Sequence, residues 1–74
     1  HLTSTEYKLL CYLIENKGRI VTKAMLLEQL WDIDGNFVDE NTVRVNIKRL
    51  RQKLNDDKQE YIVTVFGMGY TFGE

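Results

Sequence analysis

The residues of this chain that could bind a charged ligand are concentrated between positions 41 and 54, a stretch with five cations and no acid. Arginine and lysine donate hydrogen bonds to phosphate oxygens and to guanine, whereas asparagine and glutamine can pair with adenine. The methyl groups of Val45 could contact a thymine methyl. These residue types together suit the major groove of DNA, and the polar members are Asn41, Thr42, Arg44, Asn46, Lys48, Arg49, Arg51, Gln52 and Lys53.

The same stretch has the spacing of an α-helix packed on a core. Its apolar residues recur at i, i+4, i+7 and i+11 and form one stripe, made of Val43, Ile47, Leu50 and Leu54. The cations therefore stand on the outward face. An ordinary solvated helix face is the alternative interpretation, although such faces usually mix both signs of charge. The neighbouring elements have to decide between the two.

Charge is segregated along the 74 residues, although the net charge is only −1 and the pI is near 5.8. This balance excludes an indiscriminate polyanion binder and indicates one positive face on a neutral or acidic body. A chain of this length forms at most one domain, so we predict a single DNA-binding domain over residues 1–74. The acids flank the basic stretch on both sides and are Asp32, Asp34, Asp39, Glu40, Asp56, Asp57 and Glu60.

The composition also argues against an enzyme. The only histidine is His1 and the only cysteine is Cys11, so the chain offers neither a metal cage nor a nucleophile–base pair, and we expect no cofactor or metal. Cys11 lies in an apolar helical segment and is interpreted as a small buried hydrophobe. With no bilayer-spanning run and no signal-peptide pattern at its start, the chain is expected to be cytoplasmic and to make no membrane contact.

Start and stop signals predict three helices, one short strand and a hairpin. Thr3 and Glu6 form a capping box that starts helix 1, and Gly18 ends it. We expect the buried face of helix 1 to contain Tyr7, Leu10, Cys11 and Ile14, widened by Leu9 and Leu13. The other predicted elements are a strand over 19–21, a helix over 23–31 capped by Thr22, a loop over 32–36, a helix over 41–54, and a hairpin of strands 61–66 and 70–72.

Two further details of these elements are predicted. Phe37 and Val38 should pack back onto the core from the loop, and one of Asp39, Glu40 or Asn41 should cap helix 3. Residues 67–69 should form a flexible hairpin tip, with one row of the hairpin, either Ile62, Thr64 and Phe66 or the alternate residues, packed on the helices.

This order of elements is that of a winged helix-turn-helix, an α+β fold of three helices and a C-terminal hairpin. Its last helix enters the major groove, and the hairpin is a wing that reaches the neighbouring backbone or minor groove. The order therefore favours DNA contact over a merely solvated face for the basic helix.

The residues resemble the effector domain of the OmpR/PhoB family of bacterial two-component response regulators. The resemblance runs over nearly the whole chain and consists of five short matches in the right order. They are Leu2-Thr3 with Glu6, Leu9-Leu10 and Leu13; 16–21; Leu26-Leu27 with Leu30-Trp31; Thr42-Val43 with Val45, Ile47, 49–51 and 53–54; and Ile62 with Thr64-Val65, Gly67 and Gly69-Tyr70. Trp31-Asp32, together with 37–43 and Val45-Asn46, is also similar to a subgroup tied to antimicrobial-peptide and cell-envelope stress.

The resemblance implies sequence-specific binding of a direct-repeat promoter site by a tandem dimer that controls transcription. It also implies a separate receiver domain, phosphorylated by a sensor histidine kinase. The family's domain opens with a small antiparallel sheet, of which only Leu2 could be a remnant here. We therefore expect a fragment without the receiver, in which either this sheet has been trimmed off or one flank of helix 1 is left uncovered.

The resemblance also assigns roles to individual residues. It places Lys48, Arg49 and Arg51 of the recognition helix on DNA, with Arg49 reading a base. It also places five further residues on phosphates of the DNA backbone. From the helix face itself we add Arg44, Val45 and Gln52. Arg44 stands where many members carry an acid, and Phe66 stands where many wings carry an arginine that enters the minor groove. The residues expected on phosphates are Asn41, Thr42, Trp31, Thr64 and Tyr70.

Several alternatives stay open at this stage. The 32–40 segment could contact RNA polymerase through Asp32, Asp34 and Asp39, or the whole chain could be a protein-interaction module that uses this acidic surface. Arg51 could instead pair with an acid of that segment, and Trp31 and Tyr70 could belong to the packing.

Overall fold

The first helix, α1, spans Ser4–Glu15 and begins at the predicted capping box. In the computed structural model, which describes residues 2–34 and 39–73 and gives only the backbone at 33 and 34, Thr3 Oγ1 accepts from the Glu6 amide at 3.1 Å. Glu6 Oε1 accepts from the Thr3 amide at 3.0 Å. Gly18 follows the helix with a φ of +84°, so the predicted left-handed stop is also confirmed.

A two-residue strand and the second helix come next. Strand β1 is Val21–Thr22, which begins two residues and ends one residue later than predicted. The Thr22 hydroxyl accepts from the Met25 amide at 3.1 Å, as expected of the cap of α2. Helix α2 spans Lys23–Asp34, so the predicted loop over 32–36 was wrong at 32–34, and its last two residues lie outside the described residues. Aspartate is a weak helix former and not a breaker, which allows one more turn before Gly35. Phe37 and Val38 lie outside the described residues.

The third helix, α3, spans Glu40–Lys53 and is capped by Asp39. The Asp39 carboxylate accepts from the Thr42 amide at 2.9 Å and from the Thr42 hydroxyl at 3.1 Å. Hydrogen bonds from Thr42 hold the pKa of Asp39 below its ordinary value. The predicted apolar stripe is confirmed, because Val43, Ile47 and Leu50 are buried in the core.

The wing consists of strands β2, Ile62–Val65, and β3, Gly69–Phe72. They pair antiparallel, with Ile62 opposite Phe72, and β3 also pairs antiparallel with β1, so the sheet order is β1-β3-β2. The hairpin is therefore confirmed, with a first strand two residues shorter and a second strand one residue longer than predicted. Strand β3 is the central strand of the sheet, so it pairs both with β2 and with β1, which lies between α1 and α2.

The expectation of a flexible tip over 67–69 was wrong at Gly69, which lies buried in β3. A Cβ at Gly69 would stand 2.2 Å from the Val21 carbonyl oxygen, so no larger residue fits between these strands. The turn itself covers residues 65–68, where the Met68 amide donates to the Val65 carbonyl at 3.0 Å. Gly67 has a φ of +75°, which makes this a type II turn with Phe66 at its first central position.

The core lies between the three helices and the inner row of the sheet. Helix α1 contributes Leu9 and Leu13, whereas Tyr7 and Ile14, predicted at the centre of its buried face, are 60% and 46% exposed. The buried face of α1 is turned toward Glu6 compared with the prediction. The carboxylate of Glu6 is buried and is bonded to Lys53 of α3. The other buried apolar residues are Val21, Leu26, Leu30, Val43, Ile47, Leu50, Ile62 and Tyr70, while Cys11 is only partly buried.

The loop into the wing is held by a buried acid that the sequence analysis treated as part of a polar loop. The Asp56 carboxylate accepts from the amides of Glu60 at 2.7 Å, Tyr61 at 3.1 Å and Ile62 at 2.9 Å. Burial raises the pKa of Asp56, but these amide bonds and the nearby Arg51 outweigh burial and lower the pKa below its ordinary value.

We expect Asp56→Asn to lower the free energy of unfolding by about 1–3 kcal/mol at neutral pH, because buried amides lose their carboxylate. A lowered folded-state pKa means that this stability is fully present above the unfolded pKa, about 3.9, and is lost as pH falls through the folded value. Urea titrations from neutral pH to about pH 3 should therefore show the two proteins converging in acid. Asp57→Asn, at the exposed neighbour, is the control and should change little, and a constant difference across pH would contradict this role of Asp56.

Candidate nucleic-acid interface

The exposed face of α3 points away from the core and carries cations and amides. Asn41, Arg44, Lys48, Arg49 and Gln52 are all exposed. Val45 stands among them and is partly buried. The helical repeat puts Lys48 and Gln52 opposite the buried stripe, with Arg44 on one flank and Arg49 on the other.

An open groove of about 700 Å³ separates this face from the wing. Arg44, Lys48 and Gln52 line it from α3, and Thr64 and Phe66 line it from the wing. The acids Asp56 and Asp57 also border it, and Lys23 of α2 contributes another cation. A groove with cations on its helical wall can accommodate a phosphodiester strand.

Arg51 lies at the base of this groove and ties α3 to the wing. Its Nε and Nη2 donate to the Ile62 carbonyl at 3.0 and 2.6 Å, and Nη2 also donates to the Thr64 hydroxyl at 2.9 Å. Its guanidinium carbon stands 5.7 Å from the centroid of the Tyr70 ring. Desolvation lowers the pKa of Arg51 somewhat, but the guanidinium stays charged. The suggested pairing with an acid of the 32–40 segment is not the contact observed.

These bonds leave Arg51, Thr64 and Tyr70 less free for DNA than the sequence indicated. Two of the three guanidinium nitrogens are already committed, the Thr64 hydroxyl accepts one of their bonds, and Tyr70 is only 6% exposed. Tyr70 therefore belongs to the packing, which was the open alternative. Direct DNA contact by Arg51 and Thr64 stays a prediction.

Arg49 lies on the opposite flank of α3 from the wing. It borders a second cleft, of about 470 Å³, between the starts of α1 and α3, together with Thr3, Thr5 and Asn46. Asn46 itself donates to the Thr42 carbonyl at 2.9 Å. Lys48 and Arg49 are adjacent in sequence and thus face different surroundings.

Lys53 is not part of the cationic face, although the sequence analysis counted it there. Its Nζ stands 2.6 Å from Glu6 Oε1, and the Glu6 side chain is almost fully buried. The hydrogen bond from Lys53, helped by the Thr3 amide, holds the pKa of Glu6 below its ordinary value against the effect of burial. No local signal could have revealed this pair, because the two residues are 47 positions apart.

The remaining predicted site residues differ in whether their side chains are exposed or already bonded within the domain. Trp31 is 53% exposed, so the alternative that it belongs to the core was wrong. Asn41 and Asp32 are exposed, whereas the side chain of Asp34 lies outside the described part of the chain. The Thr42 hydroxyl and the Asp39 carboxylate bond to each other at the start of α3, so Asp39 serves first as a helix cap.

Three helices followed by a hairpin wing, with a cationic third helix facing the wing across an open groove, define a winged helix-turn-helix DNA-binding domain. The chain belongs to the family described as transcriptional regulatory protein, C terminal, whose sequence profile matches residues 1–72. The resemblance to OmpR/PhoB response regulators is thereby confirmed. This family consists of DNA-binding transcription regulators and is not a class of enzymes.

Individual relatives agree with this assignment. The chain is 43% identical to YclJ, an uncharacterized transcriptional regulatory protein of Bacillus subtilis (strain 168), over 74 residues covering 100% of this chain and 32% of that protein. The C-terminal domain of the nisin resistance regulator NsrR, a lantibiotic response regulator, superposes with a TM-score of 0.79 at 44% identity, covering 96% of this chain and 71% of that chain.

A further solved structure contains DNA. It is the DNA-binding domain of response regulator AdeR in complex with an intercistronic region, with a TM-score of 0.83 and 27% identity over 100% of this chain and 74% of that chain. The chain spans about a third of the length of the curated relatives it matches. Over residues 2–34 and 39–73, no helix has the length and apolarity needed to cross a bilayer.

We expect Arg51→Lys to destabilise the domain by about 1–2 kcal/mol, because an ammonium cannot reproduce the planar fork that reaches both Ile62 and Thr64. Urea unfolding measures this loss, and amide hydrogen exchange should speed up first in β2. Arg44→Lys, which makes the same change at an exposed position, is the control. Equal stability of the two variants would show that the fork does not hold the wing.

Proposed function

We propose that this domain places α3 in the major groove of promoter DNA while the wing lies against the adjacent backbone. The observation that supports this best is the continuity of the exposed face of α3 with the groove in front of the wing. Arg51 holds the two walls of that groove at a set spacing. A duplex edge could then meet both walls at once. The AdeR domain in complex with an intercistronic region is a related domain bound to DNA and supports this placement.

The two flanks of α3 support different tasks for its cations. Lys48 and Arg44 line the groove toward the wing, where a phosphodiester strand would pass, so we assign them to phosphates. Arg49 lies outside that groove and, with Val45 and Gln52, can reach base edges. Asn41, which borders both the groove and the second cleft, and the exposed Trp31 are assigned to flanking phosphates.

The test is enrichment of a random-sequence DNA library by the purified chain at two salt concentrations. We expect one enriched motif, bound less tightly as salt rises. Arg49→Ala should relax the preference at one base pair, with a loss of about 1–3 kcal/mol in discrimination. Lys48→Ala should weaken all sequences alike and reduce the salt dependence by about one phosphate contact.

Lys8→Ala, at an exposed lysine of α1, is the matched control and should bind as the unaltered chain does. Uniform loss across all sequences for Arg49→Ala would contradict a base-reading role for Arg49. No enrichment by any of these proteins at either salt concentration would contradict the DNA-binding proposal as a whole.

We further propose that the whole protein is a response regulator whose receiver domain is phosphorylated by a sensor histidine kinase. It would bind a direct-repeat site as a tandem dimer in the cytoplasm. The family and the shorter span of this chain relative to the proteins it matches support this proposal. The resemblance to the nisin resistance regulator supports envelope-stress or antimicrobial-peptide resistance genes as targets.

A contact with RNA polymerase is proposed at the C-terminal end of α2. Asp32 is exposed there, beside the exposed Trp31. Asp39 is a poor probe because its loss would uncap α3. The alternative of a protein-interaction module that uses the 32–40 segment would draw on the same surface.

We expect Asp32→Lys to reduce activation in a reconstituted transcription assay while leaving the DNA affinity of the protein within about twofold, since a buried polymerase contact loses its charge. Glu15→Lys, an exposed reversal on α1, is the control. A DNA affinity of Asp32→Lys that changes by much more than twofold in either direction would instead place Asp32 at the DNA surface and reject the polymerase contact.

A further inference from the structure

Phe66 is the most exposed large apolar side chain in the described part of the chain, at 93%. It occupies the first central position of the type II turn at the wing tip, a position that many residue types accept. Met68, two residues on, is 53% exposed. Neither side chain is among those packed against the core in the described residues, so their apolar character is not required for packing of the core.

The position of Phe66 relates it to the DNA surface. It continues the row of Ile62 and Thr64 toward the tip, and it borders the groove whose helical wall carries Arg44 and Lys48. A phosphodiester strand held by that wall separates the major groove from the minor groove. The tip is therefore placed to reach across the strand to its minor-groove side.

The wing offers no charge for this contact. Residues 61–72 contain no lysine, arginine, aspartate or glutamate. Charge–charge attraction to phosphates therefore cannot come from the wing, and what the tip presents is an aromatic ring with a neighbouring thioether. Apolar side chains at such positions can insert between base steps from the minor groove, which partly unstacks them and kinks the duplex.

We propose that Phe66 is an apolar wedge that inserts into the minor groove of the DNA held by α3. The proposal rests on the proposed DNA-binding function and adds a second mode of sequence reading. Unstacking is easiest at pyrimidine–purine steps and hardest in stiff A-tracts. The wing thus selects a deformable step beside the motif read by α3, without a hydrogen bond to any base.

The test compares Phe66→Ala, Phe66→Leu and Phe66→Arg on a short duplex that carries one copy of the enriched motif. Phe66→Ala should bind about tenfold more weakly, with an unchanged salt slope, because the lost contact is apolar. Phe66→Leu should restore most of the affinity. Phe66→Arg should steepen the salt slope by about one phosphate contact. Tyr61→Ala, which removes a 54% exposed aromatic ring from the base of the same hairpin, is the matched control and should bind normally.

Two further measurements distinguish insertion of the ring from its contact with the outside of the duplex. Energy transfer between labelled duplex ends should report a bend with the unaltered chain and a smaller bend with Phe66→Ala. Replacing the flexible step by an A-tract should weaken the unaltered chain and leave Phe66→Ala unaffected.

The outcomes also separate this proposal from the proposed function. If Lys48→Ala weakens binding while Phe66→Ala changes neither affinity nor bend, DNA binding by α3 stands and the wedge is overturned. If Phe66→Ala acts only on a duplex with two motifs, the ring contacts a second copy of the domain, and the wedge is again overturned. If neither variant alters binding, the DNA-binding assignment of α3 fails first.

Discussion

The peptide group of Ile62 is the point on which the geometry of the interface depends. Strand β2 is an edge of the sheet, and Ile62 is bonded on both sides by side chains: its amide donates to Asp56 and its carbonyl accepts from Arg51. Because an edge strand exposes backbone groups that other chains could pair with, these two side chains protect the edge. They also join the end of α3 to the start of the wing, so the groove between them has a set width.

Charged residues divide in this domain between those that build the interface and those that face it. Lys53, Arg51 and Asp56 bond to other groups of the domain itself, whereas Lys48 and Arg49 stand exposed on the same helix as Arg51 and Lys53. An internal bond fixes a side chain and limits its use for a ligand, while an exposed cation keeps its hydration until a phosphate replaces it. The domain thus has fewer cations for DNA than the composition of α3 suggests.

Local signals predicted the parts of the fold that depend on neighbours in sequence. The Thr3–Glu6 box, the Thr22 cap and the stripe of Val43, Ile47 and Leu50 all follow from spacing of a few residues. Contacts between residues far apart in sequence leave no such signal, and the Glu6–Lys53 pair and the close approach of Gly69 to Val21 are two of them. A lysine or arginine on a helix can donate to a backbone carbonyl, to a carboxylate or to a phosphate. The residue type alone does not determine which of these acceptors it binds.

The place of β3 in the middle of the sheet has a consequence for the order in which the domain is completed. Val21 pairs with Tyr70, so the short strand after α1 has no backbone partner until nearly the whole chain has been synthesised. Contacts of such large sequence separation form late and slowly, whereas the helices need only local contacts. A chain interrupted before Gly69 therefore retains the basic helix but lacks the strand that orders the sheet. Only a chain that contains the complete last strand can therefore present both walls of the groove.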